Sequence, residues 1–151
     1  MKSYKTIPGP KKSPKEHCIA FDKLDGSNIR AEWSKKQGWH KFGTRKQMID
    51  KNHKDFGQAI TVFMNSLSEG IVKSVLDCKD YKQVTQITAF SEYHGENSFA
   101  GYHDPDDKMR TTLIDVNIYK KGFVLPRTFI RIFEGLDYQR SFTKAFIMIL
   151  L

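Results

Sequence analysis

The sequence predicts an α+β domain: a mostly antiparallel sheet with packed helices. Three observations carry that prediction. Strand-like alternation fills residues 17–45 and returns after residue 82. Apolar residues at helical spacing occupy the stretch between. A further helix-like segment follows near residue 126, giving the order strands, helices, strands, helix. The 151 residues, 39% hydrophobic and 13% aromatic, suffice for one domain with a real core.

The elements follow in chain order. Residues 1–15 hold three of the five prolines and five lysines, and read as a basic extended arm. Residues 16–136 form the expected domain. A strand over 17–23 ends at Lys23, and "SNIRAEWS" follows with Ile29, Ala31 and Trp33 alternating against Arg30 and Glu32. Lys35 to Gly38 make a turn, and "WHKFGTR" runs as a third strand toward Arg45. Phe56, Ile60, Phe63, Met64 and Leu67 recur at helical spacing, with Gly70 as the expected break. Ile71, Val72, Val75 and Leu76 make a second helical stripe, which core packing explains better than a cofactor pocket. "QVTQITAFSEYHG" and "TTLIDVNIYK" are strands on either side of the acidic loop "HDPDDK". "LPRTFIRIFEGL" reads as a helix with Pro126 in its first turn and Phe129, Ile130, Ile132 and Phe133 buried. Residues 137–151 are an apolar tail, and no internal repeat is present.

The formal net charge of +8 predicts an acidic partner, for which nucleic acid is the usual polyanion. No basic amphipathic helix with a clean apolar face favours a membrane surface. Cys18 and Cys78 stand sixty residues apart without a CxxC pattern, too few for a disulfide scaffold or a structural zinc site. They read as reduced thiols of a cytoplasmic protein. The N-terminus lacks the apolar run of a signal peptide.

One stretch stands out: "AFDKLDGSNIR", residues 20–30. A lysine amine titrates near 10.4 in water and is a poor nucleophile at neutral pH. Burial or a neighbouring positive charge frees it, and Lys23 is expected at the mouth of an apolar strand where both conditions can hold. Asp25 suits a magnesium ion held through water beside a phosphate. Gly26 permits a tight turn, and Asn28 adds a neutral amide. An ordinary Asp-Gly hairpin with an exposed lysine explains the same residues.

Lys23-Leu24-Asp25-Gly26-Ser27-Asn28 resembles motif I, K-x-D-G-x-N, of the covalent nucleotidyltransferases, the polynucleotide ligases and mRNA capping enzymes. The asparagine is similar to the RNA ligases, whereas DNA ligases and capping enzymes more often carry arginine there. "FGTRKQMID" resembles the RNA ligase segment with an arginine near the nucleotide phosphate, here Arg45. "FSEYHGENSFAGYHDPDD" resembles motif III, which places Glu92 at the ribose. "TTLIDVNIYKKGFVLPRTFIRIF" is similar to motif IIIa and the helix after it; the usual aromatic before the aspartate is replaced by Leu113-Ile114, so Ile114 faces the base. The four segments span residues 5–136 in the family order. The resemblance implies a partial adenylylation domain with ATP and Mg2+ as cofactors. Lys23 would form lysyl-AMP, and RNA or RNA–DNA hybrid ends, a 5′-phosphate and a 3′-hydroxyl, would then be joined.

The sequence departs from the family toward its end. Motif V, K-x-K, is missing, since Lys144 is the only lysine after Pro126. Glu134-Gly135-Leu136 imitates motif IV but ends a predicted helix and precedes Asp137. The expectation is a chain cut short before motifs IV and V, with adenylylation impaired. Two rivals stand beside the ligase reading. One is a non-catalytic basic nucleic-acid-binding protein; the other, a capping-type guanylyltransferase, is disfavoured by Asn28. His40, His94 and His103 fit no zinc spacing, Asp104, Asp106 and Asp107 lack an ordered calcium-loop pattern, and Trp33 and Trp39 read as core or hairpin packing.

Overall fold

A computed structural model of the chain describes residues 1–4, 19, 21, 23–96 and 106–138. The alternation in "SNIRAEWS" becomes strand β1 (Ser27–Ser34), which turns back through Lys35–Gln37 into β2 (Gly38–Thr44). A two-residue strand β3 (Met48–Ile49) then pairs with β2. Beyond the helical stretch come β4 (Gln86–His94), β5 (Arg110–Ile118) and a second two-residue strand, β6 (Gly122–Phe123). All pair antiparallel in the order β3-β2-β1-β4-β5-β6, so the chain is α+β with one antiparallel sheet. The pairing of β1 with β4 joins residues about sixty apart in sequence, such as Ile29 with Ser91.

Period-2 alternation divides the sheet into two unlike faces. Ile29, Ala31 and Trp33, with Ile87, Ala89, Leu113, Val116 and Ile118, are buried on one face. Helices α1 (Gly57–Ser66), α2 (Ser68–Asp77) and α3 (Pro126–Ile132) supply Phe63, Ile71, Val75 and Phe129 to the core, and Leu67 between the first two joins them. Trp39 packs edge-on against Phe63, with centroids 5.0 Å apart, and donates its indole N–H to the Ser68 carbonyl at 3.1 Å. Both tryptophans therefore serve packing.

The break between the first two helices falls at Leu67, not at Gly70. Ser66 and Ser68 turn their hydroxyls back onto the carbonyls of Val62 and Met64, at 2.7 and 2.6 Å. Such back-bonding competes with the helical ladder and bends it. Gly70 sits inside α2 for a different reason: a Cβ there would strike the Cδ2 of Leu136. Leu136 follows α3 and packs over that gap.

Several further expectations are corrected. Met64 is exposed rather than buried, and Ile130 and Ile132 are only half-buried, because the short α3 turns just Phe129 and its capping residue Phe133 fully inward. Of the strand expected over 17–23, the described residues show a single bridge residue, Phe21, and Lys23–Asp25 are irregular. Most of the basic arm, Cys18, His103, Asp104 and the apolar tail from residue 139 lie outside the described residues. Glu134 and Gly135 form a turn after α3, and the chain then returns beside β5, where the Leu113 N–H donates to the Asp137 carbonyl at 2.8 Å. Among the described residues no helix is long and apolar enough to cross a membrane.

Candidate active site

The sheet face away from the helices is polar, and its side chains form rows across the central strands. Asn28, Glu92 and Thr112 make one row, Arg30, Phe90 and Asp115 the next, and Glu32, Thr88 and Asn117 a third. In β5 the register slips at Phe90/Ser91, which pair with Asp115 and Leu113 and leave Ile114 as the extra residue of a bulge. The bulge lets Leu113 stay in the core while Ile114 turns to the polar side, where it lines a cleft.

That cleft has a volume of about 640 Å³. It brings together Lys23, Asp25, Gly26, Asn28, Arg45, Glu92 and Ile114, every residue singled out in the sequence. The loop before β1 delivers Lys23 to Gly26, the turn between β2 and β3 delivers Arg45, and β4 and β5 deliver Glu92 and Ile114. Gly26 is required at its position, because a Cβ would run into the Tyr93 carbonyl oxygen and come within 2.8 Å of the His94 Cβ. The loop therefore lies directly against the end of β4, within reach of Glu92.

Glu92 is the electrostatic centre of the cleft. Partial burial raises its carboxyl above the ordinary range, and the Asp25 charge adds to the effect. Hydrogen bonds from the Asn28 side chain and the Gly26 N–H, with the Lys23 charge, oppose it without cancelling it. Donation from the Asn28 amide nitrogen to Glu92 leaves Asn28 Oδ1 buried and without a partner. Lys23 itself is exposed, so the burial expected of its amine is absent.

Tyr4, Phe56 and Lys46 also line the cleft, and none of the nucleotidyltransferase-like motifs includes Tyr4 or Phe56. Tyr4 packs on Phe90 and Phe123, with ring centroids 5.0 and 6.1 Å away. Its phenol donates to Asp115, and burial first, then that carboxylate, pushes its pKa up to about 12. Arg30 fastens the same N-terminal residues by donating to Ser3 Oγ at 2.9 Å and to the Lys2 carbonyl at 3.4 Å. A tyrosine inside a Pro/Lys-rich arm carries no periodic signal that would mark it. Phe56 begins the helical stripe, where it reaches both the core and the cleft.

Magnesium takes one or two carboxylates plus substrate phosphates, and Asp25 beside Glu92 fits that modest requirement. Glu92 already accepts two hydrogen bonds, so Asp25 is the freer of the pair for a water-mediated contact. Among the described residues no group of three or more His, Cys, Asp or Glu forms a metal cage. His40 instead lies 3.5 Å from Glu32 and 3.0 Å from the Gly38 carbonyl, and His94 shares a 2.9 Å hydrogen bond with Thr112. No protein-family model matches the chain, and no curated protein matches it.

Proposed function

We propose that this protein is an ATP-dependent RNA ligase-type adenylyltransferase with Lys23 as the covalent nucleophile. One observation supports this above others. Residues from four separate segments, chosen by their resemblance to nucleotidyltransferase motifs, line one cleft of nucleotide size. In this reading the partial adenylylation fold is the six-stranded sheet with its helices on the opposite face.

The Lys23 Nζ attacks the α-phosphorus of ATP. A phosphorus–nitrogen bond forms, the α–β phosphoanhydride bond breaks, and pyrophosphate leaves with the electron pair. Lys23 gives one proton to solvent before the attack, to free its electron pair, and a second once the phosphorus–nitrogen bond has formed; its exposed position allows both transfers. Arg45, at the cleft rim, faces the phosphates and neutralises part of their charge. Glu92, held by Asn28 and Gly26, accepts a ribose hydroxyl. Ile114, with the Tyr4 and Phe56 rings, encloses the base. Asp25 would hold magnesium, which when bound lowers the charge on the phosphates. An RNA 5′-phosphate oxygen then attacks the adenylate phosphorus, and the phosphorus–nitrogen bond breaks, returning its electron pair to Lys23, which is reprotonated. A 3′-hydroxyl next attacks the RNA 5′-phosphorus, loses its proton to solvent and releases AMP, sealing the strand.

The exposure of Lys23 favours a second reading, a basic nucleic-acid-binding protein in which this lysine is one phosphate contact among many. A self-labelling assay separates the two. The parent and Lys23→Ala are incubated with magnesium and ATP labelled at the α-phosphate, then resolved under denaturing conditions. Label on the parent alone is expected, accumulating slowly because the motif V cations are missing. An unlabelled parent whose affinity for RNA survives Lys23→Ala, with only about one unit lost from its salt dependence, would overturn the enzymatic reading.

A further inference from the structure

The polar sheet face carries a second pocket, of about 450 Å³, centred on the row Glu32–Thr88–Asn117. Four residues of strand separate this row from Asn28–Glu92–Thr112, a distance of about 13 Å. The described residues include four buried side-chain atoms without hydrogen-bond partners: Asn28 Oδ1, Arg30 Nε, Asn117 Nδ2 and Thr111 Oγ1. Arg30 Nε lies beneath the docked residues 2–4, whereas Asn28 lines the Lys23 cleft and Asn117 lines the second pocket together with Met1 and Lys2. Buried polar groups are normally satisfied, so the unpartnered Asn117 amide points to a polar ligand in that pocket.

The second pocket has the chemistry of a nucleotide site. Asn117 is 6% exposed, and its unpartnered amide can donate to a base edge. The Glu32 carboxylate, fixed by Lys41 at 3.1 Å, offers an acceptor. Tyr119 stands half-exposed at the rim, its backbone N–H anchored to the Gln86 carbonyl at 3.1 Å. Lys120 lies 5.5 Å over the Tyr119 ring, in the β5–β6 turn, whose Lys121 N–H to Ile118 carbonyl bond its left-handed backbone (φ 63°) allows.

We infer that this pocket is a subsite for an unpaired nucleotide of the same RNA strand that the Lys23 cleft acts on. Tyr119 stacks on the base, Asn117 reads its edge and Lys120 contacts the backbone phosphate. The identity of the strand rests on the reading proposed above. Residues 2–4 lie over the row between the two pockets, so a strand that occupies both passes around them.

Fluorescence anisotropy with labelled hexa-adenylate RNA tests this. Tyr119→Ala is expected to weaken binding about 5- to 160-fold, the usual worth of one stacked base, without changing the salt slope. Lys120→Asn, whose new residue tolerates the left-handed backbone, should lower the slope by about 0.7. Asn117→Leu should also weaken binding while the melting temperature holds or rises, because it removes an unsatisfied buried amide. Parent-like binding by both Tyr119→Ala and Asn117→Leu would overturn the subsite. Labelling of the parent with α-labelled ATP is read separately. A parent that fails to label overturns the Lys23 chemistry, whereas the hexanucleotide titration alone decides the subsite.

Discussion

Gly26 and Gly70 both lie where a Cβ would meet other atoms, yet replacing them with alanine should have opposite consequences. At Gly26 the obstacles are the Tyr93 carbonyl and the His94 Cβ, parts of β4 held in the sheet on both sides. The loop must move instead. Overpacking of this kind costs about 1–3 kcal/mol. Displacement also weakens the Gly26 N–H bond to the Glu92 carboxylate, and bonds to charged groups contribute about 1.5–3 kcal/mol. The two effects overlap, so about 2–4 kcal/mol is the reasoned total. At Gly70 the obstacle is the end of a flexible leucine, Leu136, and alanine gains about 0.5–1 kcal/mol of helix stability. Gly70→Ala should therefore fall within about 1 kcal/mol of the parent. Urea unfolding measures both changes, and ATP titration reports the cleft. Gly26→Ala should lose ATP affinity at least as clearly as stability, while Gly70→Ala keeps it. A Gly26→Ala variant with parent stability and parent affinity would refute the view that the loop is pressed against β4.

Two predictions concern pH. Tyr4 keeps its proton more tightly in the folded protein, at about 12 against 10.0 when unfolded, so its contribution is complete below pH 10 and is lost as pH rises toward 12. A two-unit shift corresponds to about 2.7 kcal/mol. The phenol is partly open to solvent, which reduces the expected loss to about 1 kcal/mol. Tyr4→Phe retains the ring packing, so its melting temperature should fall less than the parent's between pH 9 and 11.5. Equal alkaline losses would exclude Tyr4 as the source. Glu92 likewise binds its proton more tightly when folded, so the folded state is favoured below the ordinary value of 4.5 and loses that advantage as pH rises above it. Glu92→Gln should therefore stabilise the protein more at pH 7 than at pH 4, while weakening ATP binding. A stability difference that does not change with pH would refute the desolvation argument.

The parts of this fold legible in the sequence are those written in local periodicity. β1, β2, β4 and β5 and all three helices follow from alternation or helical spacing, because one face of each must be buried. β3 and β6 have two residues each, too few to show a period. Gly70 looked like a helix break because its reason for being glycine, Leu136, lies sixty-six residues away in sequence. The cleft was legible to the extent that its polar residues form short motifs. Tyr4 was not, since its role arises from docking on Phe90 and Phe123. The exposure of Lys23 is illegible for a related reason: the apolar run before it predicts a buried strand, and burial depends on what covers the strand's end.

The antiparallel seam between β1 and β4 has a consequence for how the cleft comes into being. The β1–β2 and β5–β6 hairpins close over short loops, but the β1–β4 seam must first gather a segment containing two helices. Long-range pairings of this kind carry the larger loop-closure entropy and govern folding rates. Asn28 and Glu92 face each other across that seam. No shorter fragment that lacks either strand can hold their contact, so the chemistry of the cleft and the global topology are acquired together.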